Sequence, residues 1–237
     1  MKPTIVLVHG AFAESASWDG VVEELLREGH PVIAAPNPLR SMSGDARAVS
    51  DIVRTVEGPV VLAAHSYGGA VITNVDREAG DITGLVYVNG FAPDVGETCF
   101  QLAGMFPGST LGDTLHPVPN SDGTTDLYIS GDRFHQQFCA DVPEDQAARM
   151  AVTQRPPTQE ALVEPSGDSP LWKELPSWFL IGEEDHTIPA ALQHYMAERA
   201  HARRTIEVPG GSHALPVSHP KAAAHLILEA AAMQVAV

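Results

Sequence analysis

Basic residues, cysteine, aromatics and long apolar runs are all scarce in this 237-residue chain. Only 14 Lys and Arg stand against 30 Asp and Glu, a formal net charge of −16, which excludes the electrostatics that nucleic acid and anionic membranes demand of a partner. No window approaches the ~18 consecutive apolar residues of a membrane span. Two cysteines, Cys99 and Cys139, are too few for a disulfide framework. They read as buried free thiols of a reducing compartment, with pairing as the alternative. The segment Met1-Lys2-Pro3 leads straight into a strand-like run, so no cleaved signal peptide is expected and the reading is cytoplasmic. The 11 histidines form no H-E-x-x-H or comparable cluster, so no metal is expected. A P-loop and a dinucleotide fingerprint are also missing, so no cofactor is expected. Internal repeats and low-complexity tracts are absent, and nothing chooses between monomer and homodimer.

What remains is an ordinary globular composition, 44% hydrophobic and 19% charged, at a length that suits one domain. Apolar β-branched runs alternate with segments of helical period. Strands are expected at Thr4 to Val8, Pro31 to Ala35, Pro59 to Ala63, Ile82 to Val88, Trp178 to Ile181 and Thr205 to Val208. Trp18, Val21, Val22, Leu25 and Leu26 share one helical face, with Ser15 or Ser17 as its cap and Gly29 as its end. Pro36 to Gly44 reads as a loop. Ala46, Val49, Ile52, Val53 and Val56 line a second helix, closed by Gly58-Pro59, and later helices are expected at Ala190 to Ala200 and Pro220 to Met233. Six strands alternating with helices predict an α/β fold, a doubly wound and mostly parallel sheet flanked by helices. The rhythm breaks between Phe91 and Leu175, where helical pattern returns only at Phe134 to Phe138 and Glu144 to Ala151 and no sheet period shows. Residues 1–90 and 176–237 are therefore read as the core, and 91–175 as a cap or lid inserted over the carboxyl edge of the sheet.

The most informative stretch is Ala64-His65-Ser66-Tyr67-Gly68-Gly69, placed between an apolar strand and a helix-like segment. A serine on so tight a turn adopts φ > 0, small neighbours clear the incoming helix, and the helix N-terminus lies beneath the hydroxyl. It departs from G-x-S-x-G only at Ala64. A serine hydroxyl needs a base and a group that orients the base. Asp185, after the strand ending at Ile181, and His213, after the strand ending at Val208, complete the order nucleophile, acid, base, each on a loop following a strand. Glu183, Glu184 and Asp94 compete for the acid, and His186 and His219 for the base. His9-Gly10-Ala11-Phe12 follows the first strand, so the N–H groups of Ala11 and Tyr67 are the candidate oxyanion donors. Phe12 either lines a substrate pocket or belongs to the core. His135 is read as structural.

Together these loops resemble the α/β-hydrolase superfamily over nearly the whole sheet scaffold. Val8-His9-Gly10-Ala11 and His65-Ser66-Tyr67-Gly68-Gly69 are similar to its small cofactor-free group of plant methyl esterases, hydroxynitrile lyases and bacterial relatives. The resemblance implies a triad of Ser66, Asp185 and His213 with an oxyanion hole from Ala11 and Tyr67. Lyases of the group typically carry threonine where Gly10 stands and lysine where Ala214 stands, so these residues favour ester cleavage. The expected function is a serine hydrolase that cleaves a small, fairly apolar carboxylic ester through an acyl-enzyme. The alternatives are lyase-like, cofactor-free acid–base chemistry on the same scaffold, and a slow-turnover ligand-binding receptor.

Overall fold

The computed structural model describes residues 1–233 and is built around a six-stranded sheet in which every pairing is parallel. Its first half contains β1 (Thr4–Val8), α1 (Asp19–Arg27), β2 (Val32–Ala35), α2 (Met42–Val53), β3 (Pro59–His65), α3 (Tyr67–Thr73) and β4 (Asp81–Val88). Then come α4 (Cys99–Ala103), β5 (Leu115–Pro119), β6 (Thr125–Ile129), α5 (Gly131–Phe138), α6 (Glu144–Thr153) and α7 (Gln159–Val163). The sheet resumes with β7 (Ser177–Gly182), α8 (Ala190–Arg199) and β8 (Arg204–Val208), followed by α9 (Leu215–Ser218) and α10 (Pro220–Ala232). Spatial order is β2-β1-β3-β4-β7-β8, so the winding direction reverses between β1 and β3. Ligands of such sheets bind beyond the carboxyl ends of the strands at that reversal.

The expected continuous burial explains why the strands read so clearly. All residues of β1 and β7 are buried, because helices cover both faces. Alternate side chains go to opposite layers: Val6 and Val8 join Leu39, Val49, Ile72 and Met196, whereas Ile5 and Leu7 join Trp18, Val21, Leu25, Leu226 and Ile227. Among the described residues no helix is long and apolar enough to cross a membrane. Cys99 and Cys139 are both buried and unpaired.

Several local expectations need correction. Neither Ser15 nor Ser17 caps α1. A 3₁₀ turn at Ser15–Trp18 precedes it, the Ser17 hydroxyl donates back to the Glu14 carbonyl at 2.7 Å, and the cap position is Trp18. Leu26 is 56% exposed and lies off the buried face of α1. The loop after β2 is shorter than read, because the Ser41 hydroxyl accepts from the Gly44 N–H and starts α2 at Met42. The same helix ends at Val53, short of Val56. Finally, the insertion contains an antiparallel hairpin of β5 and β6, with Asn120 to Thr124 as its turn and Gly123 at φ 90°.

Candidate active site

Ser66 follows β3 at φ 55°, ψ −126°, a left-handed backbone conformation that strains any residue with a Cβ and occurs at functional turns. The turn closes only because glycines admit neighbouring backbone. A Cβ at Gly68 would meet the Val8 and His9 carbonyl oxygens at 2.6 and 2.8 Å. A Cβ at Gly10 would lie 2.5 Å from Ser66 Cβ. Ala64, paired with Val8 and Tyr87 on the neighbouring strands, is accommodated without exposure. The Tyr67 hydroxyl donates to Asp45 Oδ2 at 2.8 Å, tying the turn to α2. Burial pushes the Asp45 carboxyl up, and burial followed by the adjacent Asp45 pushes the Tyr67 phenol up.

The structure brings Ser66, Asp185 and His213 together. Ser66 Oγ lies 2.9 Å from His213 Nε2, and His213 Nδ1 lies 2.8 Å from Asp185 Oδ2. An ionised carboxylate only accepts, so Nδ1 carries the proton and Nε2 accepts from the hydroxyl. Asp185 Oδ1 takes the N–H groups of Thr187 and Ile188, both at 2.8 Å, and Oδ2 also takes Gln193 Nε2 at 3.0 Å. Four donors thus fix one buried carboxylate. Gln193 simultaneously donates to the Ile188 carbonyl at 2.8 Å, so α8 braces the acidic loop.

The competitors lie elsewhere. Asp94 pairs with Lys173 at 2.5 Å, and Glu183 accepts from the Gly210 N–H at 2.9 Å. His186 lines a surface cleft with Thr110 and Arg133. His219 faces Ser218 at 2.9 Å and Asp141 at 3.4 Å. His135 bonds the Val142 carbonyl at 2.8 Å within the insertion.

Two histidines near the turn serve as scaffold. His9 Nε2 accepts the Asn37 N–H at 3.0 Å, and Nδ1 faces the Gly10 carbonyl at 2.9 Å, which together select a neutral ring. Desolvation holds its pKa down at about 4. His65 donates from Nε2 to the His213 carbonyl at 2.8 Å. Burial, reinforced by the His213 ring 4.7 Å away, keeps it neutral well below the usual range.

The hydroxyl is covered. Ser66 is 3% exposed and His213 fully buried. Phe138, from α5 of the insertion, meets the His213 ring edge-on at 5.0 Å and the Phe12 ring at 6.3 Å. Phe12 itself sits at φ 60° and donates its N–H to the Arg155 carbonyl at 2.9 Å. A cleft of about 280 Å³ beside it is lined by Phe12, Ala13, Met150, Gln154 and Val217. Asp141, in the loop after α5, accepts both the hydroxyl and the N–H (3.1 Å) of Ser212, the residue before His213. Gln193, Asn37 and Asp141 carry no motif; their roles become visible only in three dimensions. Among the described residues no group of three or more His, Cys, Asp or Glu side chains is placed to hold a metal ion.

The family model described as the alpha/beta hydrolase family matches residues 5–226. A pyrethroid hydrolase from Sphingobium wenxiniae is 27% identical over 95% of this chain and 86% of its own length. Methylesterase 8 of Arabidopsis thaliana is 24% identical over 90% of this chain and 84% of its own. Among solved structures, polyneuridine aldehyde esterase superposes with a TM-score of 0.81 at 17% identity, over 97% of this chain and 99% of that one, a likeness of fold.

Proposed function

Because the chain belongs to the alpha/beta hydrolase family, we propose that it cleaves a small, fairly apolar carboxylic ester through an acyl-enzyme formed on Ser66. The observation that carries this reading is the unbroken line of hydrogen bonds, 2.9 Å from Ser66 to His213 and 2.8 Å from His213 to Asp185. His213 takes the hydroxyl proton as the Ser66 oxygen attacks the ester carbonyl. Asp185, held by its four donors, fixes the imidazole tautomer and stabilises the imidazolium that forms. The tetrahedral oxyanion is held by the N–H groups of Ala11 and Tyr67. The adjoining Phe12 N–H is already given to Arg155, so Ala11 is the donor this loop offers. His213 then protonates the leaving alkoxide, and water resolves the acyl-enzyme by the same proton transfers in reverse.

Segment 91–175 acts as the cap. Its Phe138 and the core residue Phe12 give the acyl group an aromatic wall, which favours apolar acids. The missing room for any side chain at Gly10 counts against the threonine of the lyase arrangement, because that residue would press on Ser66 itself. Ser66→Ala decides the matter. The variant is expected to keep its far-ultraviolet dichroism and lose p-nitrophenyl acetate hydrolysis to background, and undiminished turnover removes Ser66 from the mechanism.

A further inference from the structure

The proposed triad residues arrive on the loops after β3, β7 and β8. Strand β4 lies between β3 and β7 and contributes none of them. Its end, however, touches all three loops through one residue. Asn89 directly follows β4, is fully buried and has φ 43°. Its backbone carbonyl accepts the Ser66 N–H at 3.1 Å. Its side-chain Oδ1 accepts the Gly182 N–H at 2.6 Å, where β7 turns toward Asp185. Its Nδ2 donates to the carbonyl oxygens of Ser212 at 2.8 Å and His213 at 3.0 Å.

The geometry points to Asn89 as a positioning residue that sets the mutual spacing of nucleophile, acid and base. This deepens the reading of Ser66, Asp185 and His213 as a triad and rests on it. The chemistry requires a primary amide. One neighbour is an N–H and needs an acceptor, whereas the other two are carbonyls and need a donor with two hydrogens. A carboxylate supplies the acceptor alone, and a hydroxyl supplies one hydrogen. Glutamine has the right group on a stem one carbon too long. The left-handed backbone narrows the choice further, since asparagine tolerates αL far better than most residues with a Cβ. The hydrogen bonds of Asn89 go to backbone atoms, not to the hydroxyl or the imidazole of the triad. Its influence passes through the backbone of the three loops, and a displacement of about 1 Å there is enough to slow a reaction roughly 100-fold.

Asn89→Gly keeps the backbone conformation and deletes all three side-chain bonds. Asn89→Asp keeps the acceptor for Gly182 and turns a carboxylate oxygen toward the two carbonyls. Both variants are expected to lose roughly 10- to 100-fold in kcat for p-nitrophenyl acetate, with KM within about twofold. The low-field proton signal of His213 Nδ1–H is expected to shift or broaden, and the rate at which a fluorophosphonate labels Ser66 to fall with kcat. A folded Asn89→Gly or Asn89→Asp protein with kcat within threefold of the parent and an unmoved proton signal overturns the proposal. If neither variant folds, the parent protein decides: slow exchange of the Asn89 side-chain amide protons supports the clamp, and exchange at the rate of an exposed amide overturns it. Ser66→Ala separates the two levels. An inactive Ser66→Ala beside fully active Asn89 variants defeats the positioning role alone, whereas an active Ser66→Ala defeats the triad reading on which it rests.

Discussion

Gly68→Ala sets two physical effects of opposite sign against each other. Gly68 lies inside α3, where replacing glycine by alanine ordinarily gains about 1 kcal/mol of helix propensity. The added Cβ, however, would stand 2.6 Å from the Val8 carbonyl oxygen and 2.8 Å from that of His9. Ordinary contact begins near 3.4 Å, so helix and strand must separate by roughly 0.6–0.8 Å, and both partners are backbone that cannot rotate aside. Overpacking of this kind costs about 1–3 kcal/mol. Subtracting the propensity gain leaves a net loss of up to about 2 kcal/mol, or a Tm lowered by up to roughly 8 °C for a domain of this size. The strain also reaches chemistry, because Ser66 is the cap residue of the same helix. A shift approaching 1 Å there is expected to lower kcat about tenfold or more. Thermal melts followed by circular dichroism, together with kcat on p-nitrophenyl acetate, read both effects. A Tm raised by a few degrees with undiminished kcat would refute the reasoning, because propensity would then have prevailed over close packing.

Asp185→Asn leaves the fold standing while aiming an amide donor at a ring nitrogen that must itself donate. A fall of roughly 10³–10⁴ in kcat is expected, and a fall below tenfold would contradict the assigned tautomer. Stability is expected to decrease on acidification. His9 is neutral in the fold, with its pKa down at about 4, but takes a proton near pH 6.5 when unfolded, so the unfolded chain binds more protons between those values. The stabilisation is complete above about pH 6.5 and lost as pH falls toward 4, by about 3 kcal/mol, with His65 adding in the same sense and Asp45 opposing it at the acid end. Urea midpoints at pH 7.5 and pH 5 check this, and equal midpoints would count against it. Burial raises the Cys99 thiol, and burial with Asp141 nearby pushes Cys139 up to about 12, so neither is expected to react with Ellman's reagent at pH 8 until the protein unfolds. Reaction within minutes in the native state would show that the thiols are accessible.

The sheet was legible in the sequence because strands covered on both faces leave uninterrupted apolar runs, as in Thr4–Val8 and Ser177–Gly182. The proximity of Ser66, Asp185 and His213 followed from strand-end position, since parallel strands deliver their following loops to one rim. The hairpin of β5 and β6 escaped notice for the opposite reason. Leu115–Pro119 is mostly exposed and contains two prolines, so it shows neither an apolar run nor a strand composition. Its one local sign was the polar turn Asn120-Ser121-Asp122-Gly123. The cap of α1 was misplaced, and the start of α2 was read too late, because serines cluster at both helix starts and only hydrogen-bond geometry selects among them. Asn89 and Gln193 gave no signal. Each acts by bonding backbone brought from distant sequence, and no local pattern encodes that.

The bond between Ser66 and His213 joins residues 147 positions apart, and that between His213 and Asp185 joins residues 28 apart. A chain folded only through β4 already owns the strained serine turn yet lacks His213, the base proposed to receive its proton. Such an intermediate is chemically silent however much helix and strand it has gained. Ester turnover during refolding therefore waits on one event, the docking of β7 and β8 against the earlier strands. A spectroscopic signal from the backbone reports every event before it.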